Sequence, residues 1–359
     1  MRVKQPAQLP LLSVGPPPHP SAWAVVDERL RGTRFVSLEP QRVLNPPGQT
    51  GMDFWSLNPY VGCEFGCTYC YARYTHRYVV ERARDAGRLS EQEFRDFRGI
   101  HGWEAFERRI FVKQRILPAL EDDLQRYFRT GCPPARPSAE PIVIGTATDP
   151  YQPAERGFRI TRSVLERLAR CRDISIGLIT KSPLVARDAD MFARLQAHND
   201  VEVYVSLITL DVAIIRAVEA RSPMPAVRLR ALRRLTDAGV NAGLIVAPVL
   251  PGITDDVPHL EALFAAAREA GARFVHVSPL RLYPAVRDRF LPILGERFPD
   301  LVARYRAAYA RHSAAPQAYA AALRRRAGRL QRRFGFPTSR GMVDRYRTRR
   351  VPVQGHLGL

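Results

Sequence analysis

Residues 141–181 read PIVIGTATDPYQPAERGFRITRSVLERLARCRDISIGLITK. Two short runs rich in Ile and Val, PIVIG and ISIGLI, bracket a helical stretch at 158–171. A β-rich run, a helix of about ten to fifteen residues and a second β-rich run make a βαβ unit, whose strands lie parallel. The unit repeats downstream: a helix at 184–197, VEVYVSLITL, helices across 211–238, NAGLIVAPVL, a helix at 255–270, and ARFVHVSPL. Upstream, FWSLNPYVGC supplies one more strand, running into a loop. Six such strands are too few for a closed barrel, which needs eight units over roughly 250 residues. The expected fold is therefore α/β, an open and partial (β/α)6 TIM-like barrel over residues 51–280.

The flanks read differently. Residues 1–50 are rich in Pro, Gly and Arg without sustained period, an irregular N-terminal arm. Residues 75–140 carry dense charge, with helical patterns at 90–109 and 115–129, and read as a helical insertion that closes on GCPPARPSAEP. Residues 281–359 form a helical, basic C-terminal extension, with helices at about 297–312 and 316–334.

The chain has 359 residues, 46% hydrophobic, enough to bury one large core or two ordinary ones. Its longest apolar run, AGLIVAPVLPGI at 242–253, is shorter than the roughly 18–20 residues of a spanning helix and is broken by proline. The first twenty residues lack the apolar core and cleavage site of a secretory signal, so a cytoplasmic protein with reduced thiols is expected. Five cysteines, three of them bunched, argue against a disulfide framework. The net charge of +20 is uneven: residues 311–359 hold twelve arginines against one acid, Asp344. Such a tail can meet phosphates by counterion release, although 52 arginines against three lysines (Lys4, Lys113 and Lys181) equally describe an arginine-rich composition.

In parallel βα folds ligands gather at the carboxyl ends of the strands. That rule selects the loop after FWSLNPY, then Thr146 to Asp149, Thr180 and Lys181, Ser206 to Asp211, Ala247 and Pro248, and His276 to Pro279. The loop holds Cys63, Cys67 and Cys70 in C-x3-C-x2-C. Three ligands without a fourth nearby is the informative count. A structural zinc site closes with four, and neither His76 nor a second C-x2-C supplies one. A cluster that only carries electrons also takes four thiolates. A [4Fe–4S] cluster on three cysteines leaves one iron open to a small molecule. Gly62 and Gly66 provide the positive φ and close backbone approach needed to wind a loop around it. Cys132 and Cys171 stand alone.

C-x3-C-x2-C followed by the aromatic Tyr71 resembles the signature of the radical S-adenosylmethionine (SAM) superfamily. NPYVGC before the cluster and TDPYQPAE after the next strand look most like the uncharacterised spore photoproduct lyase-like branch, over roughly residues 50–280. The resemblance implies a partial βα barrel and a cluster on Cys63, Cys67 and Cys70 whose open iron chelates SAM. It also implies reductive cleavage of SAM to a 5′-deoxyadenosyl radical that abstracts hydrogen from a substrate. It places Tyr71 near the adenine, and Thr148, Asp149, Lys181 and Ser206 nearest SAM. Lys181 is the only lysine in the repeating part, and a compact ammonium suits a single carboxylate oxygen. Asp149 and Glu155 also fit the role of acids favoured at a helix N-terminus.

One departure limits the transfer of function. Photoproduct lyases carry a hydrogen-donating cysteine in this strand region, and PIVIGTATDPYQP has none. Tyr151, Tyr204 and Tyr283 are the remaining candidates for that step. The expected partners are SAM, a flavodoxin- or ferredoxin-like electron donor and a nucleic acid or nucleotide, the last through the basic tail, with no membrane. Two other classes stay open: a non-catalytic nucleic-acid-binding protein with a structural metal on the cysteines, and a redox carrier without a SAM pocket.

Overall fold

The computed structural model describes residues 25–28, 32–50, 52–87, 89–98, 105–131 and 140–338. Eleven strands occur among them: β1 Val25–Glu28, β2 Arg34–Ser37, β3 Leu44–Asn45, β4 Trp55–Leu57, β5 Tyr60–Val61, β6 Arg109–Val112, β7 Ile142–Ile144, β8 Ser175–Thr180, β9 Asp200–Ser206, β10 Ala242–Val249 and β11 Val275–Pro279. The larger sheet has seven strands in the order β11-β10-β9-β8-β7-β4-β3. Strands β4, β7, β8, β9, β10 and β11 are the six expected, each parallel to the next. Their order never reverses, so the sheet winds in one direction, unlike a doubly wound sheet with its central switch point.

Period-two alternation sorts the side chains of this sheet onto two faces. Ile142, Ile144, Ile176, Leu178, Val201, Val203, Val205, Leu244 and Val246 join the main core with the helices. Val143, Tyr204 and Ile245 form a separate cluster with Phe54, against which Ile179, Ala247 and Phe274 pack. Gly243 permits that second packing, since a Cβ there would lie 2.4 Å from Phe274. The rings of Tyr204 and Phe274 sit 4.9 Å apart, so one face of the sheet is plugged with apolar side chains at mid-strand.

Most connecting helices fall where the sequence puts them. Glu155–Phe158 and Ile160–Leu168 follow β7, Ala189–Gln196 follows β8, Val212–Val218 and Pro225–Asp237 follow β9, and Val257–Glu269 follows β10. Local chemistry starts several of them. Asp211 accepts from the amides of Ala213 at 2.7 Å and Ile214 at 3.1 Å, and Asp256 accepts from that of His259 at 2.8 Å.

Three expectations are corrected. The arm is not irregular throughout: β1 and β2 build a second sheet of order β1-β2-β6-β5, and β3 pairs antiparallel with β4. Residues 1–24 lie outside the described residues. The 75–140 insertion is not purely helical either. Within the helical pattern at 90–109 the described helices are Glu91–Arg98 and Ala105–Arg108, and RIFV becomes β6, paired along its length with β2 and through Phe111 and Val112 with β5. Four residues are too few to show a period, and partners far away in sequence decide their state. Finally, a helix at Pro284–Arg297 precedes those expected in the extension. Its Pro284 and internal Pro292 read as breakers. The later helices are Val302–Ala308 and Gln317–Arg333, and the tail from 339 onward lies outside the described residues. No described helix is long and apolar enough to cross a membrane.

Candidate functional site

The cysteine loop springs from the junction of the two sheets. β4 belongs to the larger sheet and β5 to the smaller one, with Asn58 and Pro59 between them. Asn58 fastens that junction. Its amide donates to Ser56 Oγ at 2.9 Å and Thr146 Oγ1 at 3.1 Å, and its Oδ1 accepts from Ala147 N at 2.8 Å. Behind it, the buried Lys113 donates to the Asn58 carbonyl at 2.7 Å. Gly62 then turns the chain at φ +96°, where a Cβ would meet the Phe106 carbonyl at 2.8 Å. The next amide, of Cys63, donates to that same carbonyl at 2.9 Å. Gln152 of the TDPYQP stretch completes the anchorage, accepting from Glu64 N at 3.0 Å and donating to the Gly62 carbonyl at 3.3 Å.

Cys63 and Cys67 are buried and Cys70 is partly exposed, all with free thiols. Burial first, then the Asp149 carboxylate and the other two sulfurs, push the Cys63 thiol well above its usual value. Burial pushes Cys67 up to about 12 while Lys181 pulls it back. The three sulfurs thus lie within one another's electrostatic reach. Cationic groups surround them: Arg73, itself buried, donates to the Cys67 carbonyl at 2.9 Å and pairs with the buried Glu107. Glu107 also receives Arg221 and, at 3.3 Å, Arg289.

Asp149 is no mere helix-end charge. It is buried, and it accepts from Thr180 Oγ1 at 2.6 Å, Lys181 N at 2.8 Å and Tyr151 N at 2.9 Å, locking the end of β7 to the end of β8. Burial raises its carboxyl, against the pull of these donors. Thr148 donates to the Gly62 carbonyl at 2.5 Å, so it touches the cysteine loop directly. Tyr71 donates to the Thr146 carbonyl at 2.5 Å, with its ring 6.5 Å from that of Tyr283. Ser206 ends β9, buried, and its carbonyl accepts from Arg228 at 2.8 Å. The Lys181 ammonium lies 3.8 Å from Glu219 and 5.9 Å from the Tyr69 ring centroid. Burial alone would depress it, but the Cys67 and Glu219 charges hold it above its ordinary value.

Sequence reasoning missed Glu219. Its carboxylate is fully buried and gathers Tyr69, Arg228, Lys181 and, at 2.8 Å, Ser222. Burial works to raise its pKa, yet Arg228 and Lys181 bring it down to about 2. The segment 217–223 has no motif; a charged residue in AVEARSP reads as solvated surface. Glu107 is missed for the same reason. Of the tyrosines, Tyr151 donates to Asp188 at 2.9 Å within the helix-side core, and Tyr204 bonds to Glu202 on the plugged face. Glu155 is buried, accepting from Tyr60 at 2.5 Å and Thr161 N at 3.0 Å, besides standing at a helix start.

The donor set fits an iron–sulfur cluster better than a single ion. Among the described residues no three His, Cys, Asp or Glu side chains converge to hold one metal ion. A multi-iron cluster takes each thiolate at a different iron, so its ligands need no such convergence. Lys181 and Arg228, which act on Cys67, would offset part of the charge that bound thiolates bring. His76 is excluded as a fourth ligand: it is buried against Phe111, its Nε2 lies 2.8 Å from the Arg109 carbonyl, and burial lowers its pKa to about 4. Cys171 lies beyond the helix that follows β7, ahead of β8 and so at the opposite end of the strands, while Cys132 lies outside the described residues.

No family model matches the chain. An uncharacterised protein of Mycobacterium tuberculosis strain H37Rv is 32% identical over 261 residues, 72% of this chain and 68% of that one. An uncharacterised protein of Methanocaldococcus jannaschii is 24% identical over 221 residues, 62% of this chain and 70% of that one. Among solved structures, a spore photoproduct lyase variant superposes with a TM-score of 0.57 at 14% identity, covering 85% of this chain and 80% of its own. Another, with bound AdoMet and dinucleoside spore photoproduct, has a TM-score of 0.54 at 15% identity, covering 79% and 74%.

Proposed function

The chain belongs to one family with the mycobacterial protein and shares the fold of spore photoproduct lyase, and from that premise we propose that it is a radical SAM enzyme of a spore photoproduct lyase-like branch. Cys63, Cys67 and Cys70 would hold a [4Fe–4S] cluster, and Tyr71, Thr148, Asp149, Lys181 and Ser206 would line the site for SAM. When bound, the cluster supplies the electron that cleaves the sulfonium and yields a 5′-deoxyadenosyl radical. The substrate is a nucleic acid or nucleotide, and the sheet serves as an open (β/α)6 barrel over residues 51–280.

The observation that carries this reading is the meeting of the cysteine loop with Lys181, Asp149 and Thr148 at the carboxyl ends of parallel strands. The protein's part is orientation and exclusion of water. Thr148 and Gln152 fix the loop; Asp149 fixes the backbone of Lys181. Lys181 presents a cation beside Cys67, suited to a carboxylate of the co-substrate, while Glu219 keeps that ammonium charged. Tyr71 bridges the loop to the end of β7. The apolar plug around Tyr204 and Phe274 seals the sheet below, leaving the strand ends as the approach for substrate.

Anaerobic reconstitution tests the reading. Iron-loaded protein should absorb broadly in the visible, bind SAM and release 5′-deoxyadenosine with methionine under dithionite. A colourless protein that leaves SAM intact would refute it.

A further inference from the structure

A guanidinium-rich surface lies against the outer side of the cysteine loop. Arg221 donates through Nε to the carbonyl of Glu64, the residue after Cys63, at 2.6 Å, and through Nη2 to Glu107. Arg289, on the helix Pro284–Arg297, reaches the same carboxylate at 3.3 Å. That helix packs on Val212–Val218, which carries the exposed Arg216, whose Nη1 donates to the Ala220 carbonyl at 3.0 Å. The two acids in contact with this backbone, Glu107 and Glu64, face inward, while Asp288 beside Arg289 is exposed. Glu107 is buried and shared among three arginines, and Glu64 turns its carboxylate to the amide of Ala154 at 2.8 Å. Solvent therefore meets the cations: the side chains of Arg221 and Arg289 are 41% and 32% exposed.

We propose that Arg216, Arg221 and Arg289 form the docking surface for an acidic one-electron carrier. The inference rests on the radical SAM reading, which requires an electron from outside the protein. Charge complementarity selects the partner, because a patch dominated by exposed guanidinium groups steers an oppositely charged surface and disfavours others. Its position suits electron delivery. A carboxylate of the carrier paired with Arg221 is one guanidinium away from the backbone that follows the first cysteine. The exchange is one electron lost by the carrier and one gained by the protein's cluster, with no atom transferred.

The test uses reconstituted full-length protein with Arg216→Glu and Arg289→Gln combined, and a flavodoxin as probe. Binding of the oxidised flavodoxin, read by calorimetry at low ionic strength, should weaken about tenfold, the scale on which interface charges alter steered association. SAM cleavage driven by the photoreduced flavodoxin should fall alike, while cleavage driven by dithionite stays as in the parent. Arg324→Glu, the same change of sign on the distant helix Gln317–Arg333, should leave binding intact. Flavodoxin affinity equal in parent and double variant overturns the proposal, as does equal loss with Arg324→Glu. A parent that binds flavodoxin through these arginines yet never cleaves SAM keeps the surface and refutes the enzymatic reading instead.

Discussion

Lys113 offers the most direct physical test of how the site is held. It is buried behind the loop with its ammonium on the Asn58 carbonyl, and burial lowers its pKa from 10.5 to about 8, against a weaker pull from Asp123. A lysine with a depressed folded pKa opposes folding while charged. The unfolded chain binds more protons between the two values, so stability rises with pH across about 8 to 10.5. At pH 7 nearly the full penalty applies, about 3 kcal/mol, and by pH 10 most of it is gone. Lys113→Met removes the titration, though it also removes the hydrogen bond. Urea unfolding of parent and variant, under reducing conditions at pH 7 and pH 10, reads the difference. The parent should gain roughly 2–3 kcal/mol on the variant between the two pH values. Curves that stay parallel would show that Lys113 is not desolvated as its surroundings require.

Cys67→Ala should abolish iron incorporation and SAM cleavage while leaving far-ultraviolet dichroism unchanged; retained cleavage would remove the ligand assignment. Gly62→Ala should cost about 2 kcal/mol or more in thermal or urea unfolding, because a Cβ at φ +96° also runs into the Phe106 carbonyl. Glu219→Gln leaves Arg228 buried without its counter-charge, and a loss of about 3–5 kcal/mol is expected by urea unfolding. His76, neutral with a folded pKa of about 4 against 6.5, resists protonation. The parent should therefore lose stability relative to His76→Phe as pH falls from about 6.5 to 4, measured by the same unfolding series.

The parallel sheet was legible in the sequence because its signal is local and repeated. Each strand from β7 to β11 is a short apolar, β-rich run followed by a helix, several of which have their own start signals, and five repeats reinforce one another. The cysteine loop was legible for a related reason: the C-x3-C-x2-C spacing and its glycines lie within nine residues of chain. β6 was not legible, since RIFV is a strand only because β2 and β5 stand on either side of it. The helix Pro284–Arg297 was hidden by prolines whose cost its packing offsets.

The sequence by itself determined the order of strands, the three thiols and the strand ends that surround them, because hydrophobic periodicity and ligand spacing are written in consecutive residues. Only the tertiary structure decided that a second sheet buttresses the loop and that Glu219 pairs with Lys181 and Arg228. It alone gathered Glu107 and three arginines beneath the loop. Glu107, Glu219, Arg73 and Arg228 are buried charges, and a charge is tolerated inside a protein only when distant segments bring it a partner. Residues 107 and 289, like 69 and 219, have no relation along the chain; burial and the cost of leaving an ion unpaired define them together.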